Sequence, residues 1–292
     1  MTFELGTYLD RIGLDAVSVS YEGLAAMQRA HMLCLPFENI DIFLGSIPDL
    51  DLGALWQKII VEGRSGCCLE LNTLFQKALE VVGFTVTAIL SRNLDRLPRI
   101  DPRNHHLLLV ELDEKQWLTD VGFGSAGPIS PLRIDTEEDQ VSGGATFRVR
   151  PWERGETLVE RKSDEIWIPL YSFEKTEAIA NDLVAASVVV SRWSGGYLPK
   201  NLIVAIYTPE GRISLFDRHV KRIEDGRAEQ FDIGSPAQLE QILNEAFHLR
   251  CTRDLADRLW ARMDESRIRE VSGTLAFIPP PLNGSLSAIA SV

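Results

Sequence analysis

The sequence predicts an α+β protein in which helices come first, strands follow, and a mixed α/β segment ends the chain. Three observations predict this order. Apolar residues recur at helical spacing in the first third, β-branched and aromatic runs separated by turns fill the middle third, and both patterns alternate in the last third. A chain of 292 residues is long enough for one large domain or for two to three small ones.

The helices of the first third are predicted from apolar spacing and end signals. The clearest one covers residues 71–82, where apolar side chains at offsets 0, 3, 4, 7, 8 and 11 form one stripe and Gly83 follows as a stop. Three further helices are predicted at residues 8–12, 21–34 and 52–60. Asp51 is a suitable N-cap for the last of these.

Strands are predicted through the middle of the chain because β-branched and aromatic residues are concentrated there. The predicted strands are residues 84–92, 105–112, 115–121, 146–149, 158–161 and 167–173. Turns are predicted at residues 122–131 and 140–145, and a loop rich in proline and charge at residues 95–104.

The last third mixes the two kinds of element. Two strands are predicted around a Pro-Glu-Gly turn within residues 201–220. The predicted helices are residues 178–190, 239–247 and 255–263, and a loose tail is predicted at residues 279–292.

Charge and composition argue against several function classes. The chain carries 30 basic and 42 acidic residues, a net charge of −12, which argues against nucleic acid or an anionic membrane as a partner. No apolar run is long enough to cross a membrane, and no signal peptide is expected. The four cysteines show neither a disulfide framework nor a zinc spacing, so we expect reduced thiols, no metal and a cytoplasmic location.

Cys67 and Cys68 are adjacent, and the position of Cys68 predicts the more reactive thiol. Cys68 lies three residues before the apolar stripe that begins at Leu71, so it stands at the start of a helix. A helix N-terminus lowers the pKa of a thiol, and the glycine-bracketed residues 63–66 allow a ligand to approach closely. The alternative for both cysteines is an unreactive, buried packing role.

A nucleophilic thiol needs a histidine base and a carboxylate that orients it. His105 opens one predicted strand, Asp120 lies near the end of the next, and the short connection predicts a hairpin. Because faces alternate along a strand, a loop with an even number of residues places Asp120 on the face of His105 and turns His106 to the other side. An odd loop or a bulge reverses this arrangement, and the alternative role of Asp120 is to cap the turn at Gly122.

Three ordered segments of the sequence resemble the arylamine N-acetyltransferase family. Residues 64–72, Arg-Ser-Gly-Cys-Cys-Leu-Glu-Leu-Asn, resemble the family's Arg-Gly-Gly-x-Cys-x-Glu-x-Asn segment. Residues 105–110 resemble its histidine segment, and residues 120–124 match its Asp-Val-Gly-Phe-Gly segment in full. Ser65 stands where the family has glycine, and residues 191–201 do not resemble the serine-rich segment found there in the family.

The resemblance implies a three-part fold with a helical bundle over residues 1–85, a β-barrel over residues 86–200 and an α/β lid over residues 201–292. This fold is similar to that of cysteine proteases. Glu38 and Glu70 are expected to form structural ion pairs with Arg64.

The resemblance also implies the residues of the site. Cys68 would be the nucleophile, His105 the base and Asp120 the orienting carboxylate, while Cys67 falls on a variable position of the family segment. The residues implied to contact substrate are Phe37, Phe123 and Gly124.

The function implied by the resemblance is transfer of an acetyl group from acetyl-CoA to the nitrogen of an arylamine or arylhydrazine. Acetyl-CoA would be the acyl donor of a ping-pong mechanism through an acetyl-cysteine intermediate. Three alternatives remain open: an amide synthase acting on a polyketide thioester, a cysteine hydrolase or transglutaminase-like enzyme with the same triad, and a non-catalytic binding module that kept the fold.

Overall fold

The computed structural model describes residues 3–94 and 101–272. The helices are α1 (Leu5–Ile12), α2 (Tyr21–Cys34), α3 (Ile40–Phe43), α4 (Leu52–Leu55), α5 (Cys68–Val82), α6 (Ala180–Arg192), α7 (Pro236–Glu245) and α8 (Arg253–Ser272). The strands are β1 (Phe37–Glu38), β2 (Thr85–Asn93), β3 (His105–Leu112), β4 (Lys115–Thr119), β5 (Leu132–Arg133), β6 (Gln140–Ser142), β7 (Ala145–Pro151), β8 (Thr157–Ser163), β9 (Ile166–Glu177), β10 (Ile203–Thr208), β11 (Gly211–Phe216), β12 (His219–Glu224) and β13 (Arg227–Asp232). Most of the predicted loop at residues 95–104, and the predicted tail at residues 279–292, lie outside the described residues.

The predicted α+β class is confirmed, with differences in individual elements. The strand predicted at residues 115–121 ends at Thr119, and β12 and β13 were not predicted. The helix predicted over residues 52–60 is α-helical only in α4 and continues as a π-helix over Trp56–Val61. The turn predicted at residues 140–145 is wrong in its extent, because β6 pairs with β7 across a two-residue turn. Gly143 and Gly144 form that turn with φ of 58° and 76°, a left-handed backbone that glycine adopts without strain.

An eight-stranded antiparallel sheet forms a nearly closed barrel, with the strand order β5-β4-β3-β2-β9-β8-β7-β6. The Gln140 side chain joins the two edge strands, since it donates to the carbonyl of Arg133 at 2.9 Å and accepts the N–H of Arg133 at 2.8 Å. This contact satisfies backbone groups that an open edge would leave unpaired. The barrel core contains the buried side chains of Leu107, Leu109, Phe147, Val159, Tyr171 and Phe173.

A second sheet connects the first part of the chain with the last, in the order β1-β10-β11-β12-β13. Phe37 of β1 pairs with Ala205 of β10 and also forms a bridge with Gly66, the residue before Cys67. One segment therefore contacts both the last sheet and the approach to α5. The predicted domain limits at residues 85 and 200 stay a prediction.

Helix α5 carries its predicted stripe into the core, where it packs against β2 and β3. The fully buried members of the stripe are Leu71, Leu74, Phe75, Ala78 and Leu79. Burial of each large side chain contributes about 1.5–3 kcal/mol to folding, so this packing holds the first residue of α5 near the start of β3. Within residues 3–94 and 101–272, no helix is both long and apolar enough to cross a membrane.

Candidate active site

Helix α5 begins at Cys68, as the sequence predicts, and Cys67 is its N-cap residue. The Glu70 carboxylate accepts the backbone N–H of Cys67 at 2.9 Å, which satisfies one of the free N–H groups of the first turn. Gly83 ends the helix with φ of 114°. The Cys68 side chain therefore lies at the positive end of the helix dipole, where a thiolate is favoured.

The hairpin between β3 and β4 has the even loop that aligns His105 with Asp120. Leu112 pairs with Lys115, and the two turn residues between them have positive φ, as a type I′ turn requires. His105 Nε2 donates to Asp120 Oδ2 at 2.8 Å, and both side chains are buried. His106 lies on the other face of the strand, fully buried, and burial lowers its pKa to about 4.

Asp120 also caps the turn at Gly122, the alternative role predicted from the sequence, because its Oδ1 accepts the backbone N–H of Gly122 at 2.8 Å. The two oxygens of one carboxylate thus orient His105 and cap the following turn. Asn72 supports the same oxygen, since its Nδ2 donates to Asp120 Oδ1 at 2.9 Å and to the carbonyl of His106 at 2.8 Å. Its Oδ1 accepts the N–H of Val121 at 3.1 Å.

The sequence reasoning missed Asn72, although a signal was present. Asn72 is a polar residue four positions after Cys68, so both lie on one face of α5. It is fully buried between Leu71 and Leu74, two members of the apolar stripe. A buried amide of this kind needs hydrogen-bond partners, and here they are the ends of β3 and β4.

Cys68 and His105 are buried neighbours whose charges interact. Since Nε2 bonds Asp120, the ring nitrogen available to the sulfur is Nδ1. Burial lowers the pKa of His105, but the charges of Asp120 and Cys68 raise it more, to about 10. A hydrogen bond from Cys67 and the neighbouring His105 both lower the pKa of Cys68, and the bond from Cys67 has the larger effect. Burial raises this pKa, but the net result is a pKa well below the ordinary value. The arrangement favours a thiolate beside an imidazolium.

The neighbouring thiol of Cys67 has the opposite properties. Its hydrogen bond to Cys68, followed by burial, raises the pKa of Cys67 well above the ordinary value. Its side chain is fully buried and does not line the cavity at Cys68. The pKa values of the two adjacent cysteines are thus shifted in opposite directions.

The imidazole of His105 is held by two aromatic rings. The ring centroids of Phe123 and Tyr171 lie 5.4 Å and 5.5 Å from that of His105, and 5.1 Å from each other. These distances are typical of edge-to-face and tilted aromatic pairs. Tyr171 is a second contact that sequence reasoning missed, because it comes from β9, 66 positions after His105 in the numbering.

Two glycines let the loop after β4 approach the site. A Cβ atom on Gly122 would lie 2.5 Å from the Cα atom of Cys68, and one on Gly124 would lie 2.9 Å from the ring of Phe37. Neither position has room for a side chain. The close packing brings Phe37 and Phe123, from segments far apart in sequence, to the same cavity.

The cavity at the site has a volume of about 160 Å³. All six residues predicted for catalysis or substrate contact lie around it, and all but Asp120 line it directly. The other lining residues come from β2, the segment before β3, and residues 190–203, together with Gly122, Ser125 and Phe216. In the described part of the chain, no group of three or more His, Cys, Asp or Glu side chains could hold a metal ion.

A buried ion-pair cluster lies beside the start of α5. The predicted pair of Arg64 with Glu38 is confirmed, with Nη2 and Oε1 2.7 Å apart. The predicted pair of Arg64 with Glu70 is wrong, because Glu70 binds Lys58 at 2.7 Å. Lys58 lies on the π-helix, whose geometry the apolar pattern did not predict, and it also contacts Asp41 at 2.6 Å.

The sequence of this chain is similar to those of known N-acetyltransferases. A family model described as N-acetyltransferase matches residues 20–256. The arylamine N-acetyltransferase / N-hydroxyarylamine O-acetyltransferase of Salmonella typhimurium is 32% identical over 254 residues, covering 85% of this chain and 90% of that protein. The arylamine N-acetyltransferase of Mycolicibacterium smegmatis is 32% identical over 282 residues, covering 94% of this chain and 100% of that protein.

Solved structures are similar over the same extent. The arylamine N-acetyltransferase from Salmonella typhimurium superposes with a TM-score of 0.84 at 30% identity, covering 89% of this chain and 99% of that one. The Mycobacterium marinum arylamine N-acetyltransferase in complex with CoA superposes with a TM-score of 0.83 at 26% identity, covering 90% and 99%.

Proposed function

This chain belongs to the arylamine N-acetyltransferase family, and from that premise we propose that it moves an acetyl group from acetyl-CoA to the nitrogen of an arylamine or arylhydrazine. The observation that carries the proposal is the buried arrangement of Cys68, His105 and Asp120 at the start of α5. A thiolate beside an imidazolium is suited to attack on a thioester. The CoA complex of a relative with the same fold supports CoA as the carrier of the acyl group.

In the first half-reaction, the Cys68 thiolate attacks the carbonyl carbon of acetyl-CoA. The C–S bond to CoA breaks, a new thioester forms on Cys68, and the leaving thiolate takes a proton from His105. The backbone N–H of His106 faces the sulfur and, with the free N–H groups at the start of α5, is suited to stabilise the oxyanion. Asp120 holds the ring of His105 in the required orientation.

In the second half-reaction, the amine nitrogen attacks the acetyl carbon on Cys68. Acetylation has removed the sulfur charge, which is one of the two charges that raise the pKa of His105. The pKa of His105 therefore falls, and the neutral imidazole accepts the proton that the amine loses. The amide leaves and the Cys68 thiolate is restored.

The acceptor ring would lie against Phe37, Phe123 and Gly124, which line the cavity, with Gly124 packed closely against the ring of Phe37. Apolar and aromatic walls are typical of sites that bind aromatic ligands. We also propose a cytoplasmic location, supported by the four cysteines, all of which are free thiols.

The proposal is tested by incubating the protein with acetyl-CoA alone and measuring its intact mass. We expect a stable gain of one acetyl group and the release of one free thiol per chain. Addition of an arylamine should then remove the acetyl group and form the amide. Cys68→Ala should abolish the mass gain, whereas Cys67→Ala should retain most of the transfer activity, since Cys67 does not line the cavity.

Other outcomes separate the alternatives. Continuous thiol release without an amine, and without a stable acetyl-protein, would indicate a cysteine hydrolase. A protein that neither gains mass nor releases thiol would contradict the proposed donor and would favour a different thioester or a binding role. Loss of activity in Cys67→Ala with retention in Cys68→Ala would overturn the assignment of the nucleophile.

A further inference from the structure

The cavity at Cys68 is small for an acceptor site. Its volume is about 160 Å³, and a protein cavity of about 150 Å³ holds one benzene molecule. In a ping-pong reaction CoA leaves before the acceptor enters, so this space is available to the amine. One substituted ring fills it, whereas a second fused ring would extend to the rim of the cavity.

Residues 193–198, here called the outer wall, form the rim of this cavity. Trp193, Tyr197 and Leu198 line the cavity, and the first two are partly exposed. A Cβ atom on Gly195 would come within 2.7 Å of the Trp193 indole, so the ring lies folded against Gly195. Trp193 thus contributes the largest side chain of the rim and has little freedom to turn toward Gly195.

The outer wall is anchored from the opposite side of the site. Asn39, which is buried, donates to the carbonyl of Leu198 at 2.7 Å and to that of Asn201 at 2.8 Å. Its Oδ1 accepts the N–H of Ile203 at 2.7 Å. Asn39 lies two positions after Phe37, so one short segment positions both the inner aromatic ring and the outer wall.

The outer wall is also held by a bond within it and by one to Lys200, which follows it in sequence. The Lys200 ammonium donates to the carbonyl of Ser194 at 2.7 Å, and the N–H of Gly196 donates to the carbonyl of Trp193 at 2.8 Å. These bonds cross the turn that carries the indole. Opening the rim for a larger acceptor would break these hydrogen bonds. The cavity therefore cannot be enlarged by a change of one side-chain rotamer alone.

We propose that Trp193 limits the acceptor to a single aromatic ring, so that the protein acetylates anilines and single-ring hydrazines and discriminates against fused two-ring amines. This inference rests on the proposed function and adds the substrate class. Trp193 lies within residues 191–201, where the sequence departs from the family segment. The proposed limit on acceptor size is therefore specific to this chain.

The test compares kcat/KM for 4-chloroaniline and 2-aminonaphthalene with acetyl-CoA as donor, read by release of free thiol. The wild-type protein should prefer 4-chloroaniline by about tenfold or more, the discrimination that a tight apolar pocket supplies. Trp193→Ala should reduce this preference by about tenfold through a gain for 2-aminonaphthalene. Trp152→Ala, which removes an indole outside the cavity, is the matched control and should keep the wild-type preference.

Trp193→Leu serves as a second variant if Trp193→Ala fails to fold, as judged by thermal unfolding, and should give an intermediate preference. Equal use of both amines by the wild-type protein, or an unchanged preference in a folded Trp193 variant, would overturn the inference alone. Absence of thiol release with every amine, while acetyl-CoA also leaves no acetyl group on the protein, would overturn the proposed function and the inference with it.

Discussion

The Lys58 ammonium lies 2.7 Å from one carboxylate oxygen of Glu70, whose other oxygen accepts the backbone N–H of Cys67 at 2.9 Å. The Glu70 carboxylate thus bridges the Lys58 ammonium on the π-helix and the backbone N–H of Cys67, the residue before Cys68. Burial lowers the pKa of Lys58, but the carboxylates of Glu38, Glu70 and Asp41 raise it more, so the ammonium stays charged. Three carboxylates and two cations share this cluster, and the start of α5 depends on their balance.

Replacement of Lys58 by methionine should destabilise the protein because Glu70 and Asp41 would lose their closest cation. Breaking a buried ion pair from one side costs about 3–5 kcal/mol, and we expect the lower part of this range because Lys58 is slightly exposed. Urea unfolding measures the change in free energy. Lys77→Met is the matched control, since Lys77 forms a longer, exposed pair with Glu80. Equal stability of the two variants would show that the cluster does not hold the start of α5.

Replacement of Asp120 by asparagine should reduce transfer without unfolding the barrel. The amide has nearly the same shape, but it supplies no charge to raise the pKa of His105 and can force the wrong tautomer. We expect kcat to fall by about 10³- to 10⁴-fold, measured by thiol release with saturating arylamine. Asp139→Asn removes an exposed carboxylate and should have the wild-type rate. A loss below about tenfold in Asp120→Asn would contradict the orienting role.

The reactivity of Cys68 toward iodoacetamide should depend weakly on pH in the neutral range. The pKa of Cys68 is lowered, so its thiolate is present above that lowered value and is lost only when the pH falls through it. In His105→Ala the lowering by histidine disappears, while the hydrogen bond from Cys67 and the burial of the thiol remain. The midpoint should therefore rise toward the ordinary thiol pKa of about 8.5. Mass spectrometry of the alkylated Cys68 peptide at each pH measures the midpoint.

Cys251 provides the control for this measurement. Burial raises the pKa of Cys251 to about 11, so its thiol should remain unmodified at neutral pH in both proteins. The same midpoint in the wild-type protein and in His105→Ala would show that His105 does not activate the thiol.

Replacement of Gly122 by alanine should displace the loop after β4 from α5. The added methyl group would meet the Cα atom of Cys68 at 2.5 Å and the Asn72 amide at 2.9 Å. We expect a loss of about 1–3 kcal/mol in stability from overpacking and a large loss of transfer activity. Gly6→Ala is the control, because its methyl group meets no atom within 4 Å and alanine has a higher helix propensity than glycine. Wild-type activity in Gly122→Ala would show that transfer does not depend on the close packing of this loop against α5.

The sequence by itself determined those features that depend on local periodicity. The apolar stripe and Gly83 predicted the extent of α5 and thus the place of Cys68 at its start. The short connection after Leu112 predicted the hairpin, and the two-residue period of a strand predicted that an even loop would align His105 with Asp120. Spacing along one helix or one hairpin translates directly into side-chain direction, so these relationships need no knowledge of the rest of the fold.

Only the tertiary structure decided the contacts between distant segments. It placed Asn72 between the ends of β3 and β4 and assigned Glu70 to Lys58 instead of Arg64. It also held Leu198, in the segment that carries Trp193, through Asn39. The partners in these contacts and in the other hydrogen bonds of Asn39 lie up to 164 positions apart, and no periodic pattern connects them. Such contacts arise from the packing of whole elements, whose mutual register is set by burial of their apolar faces and by the pairing of buried polar groups.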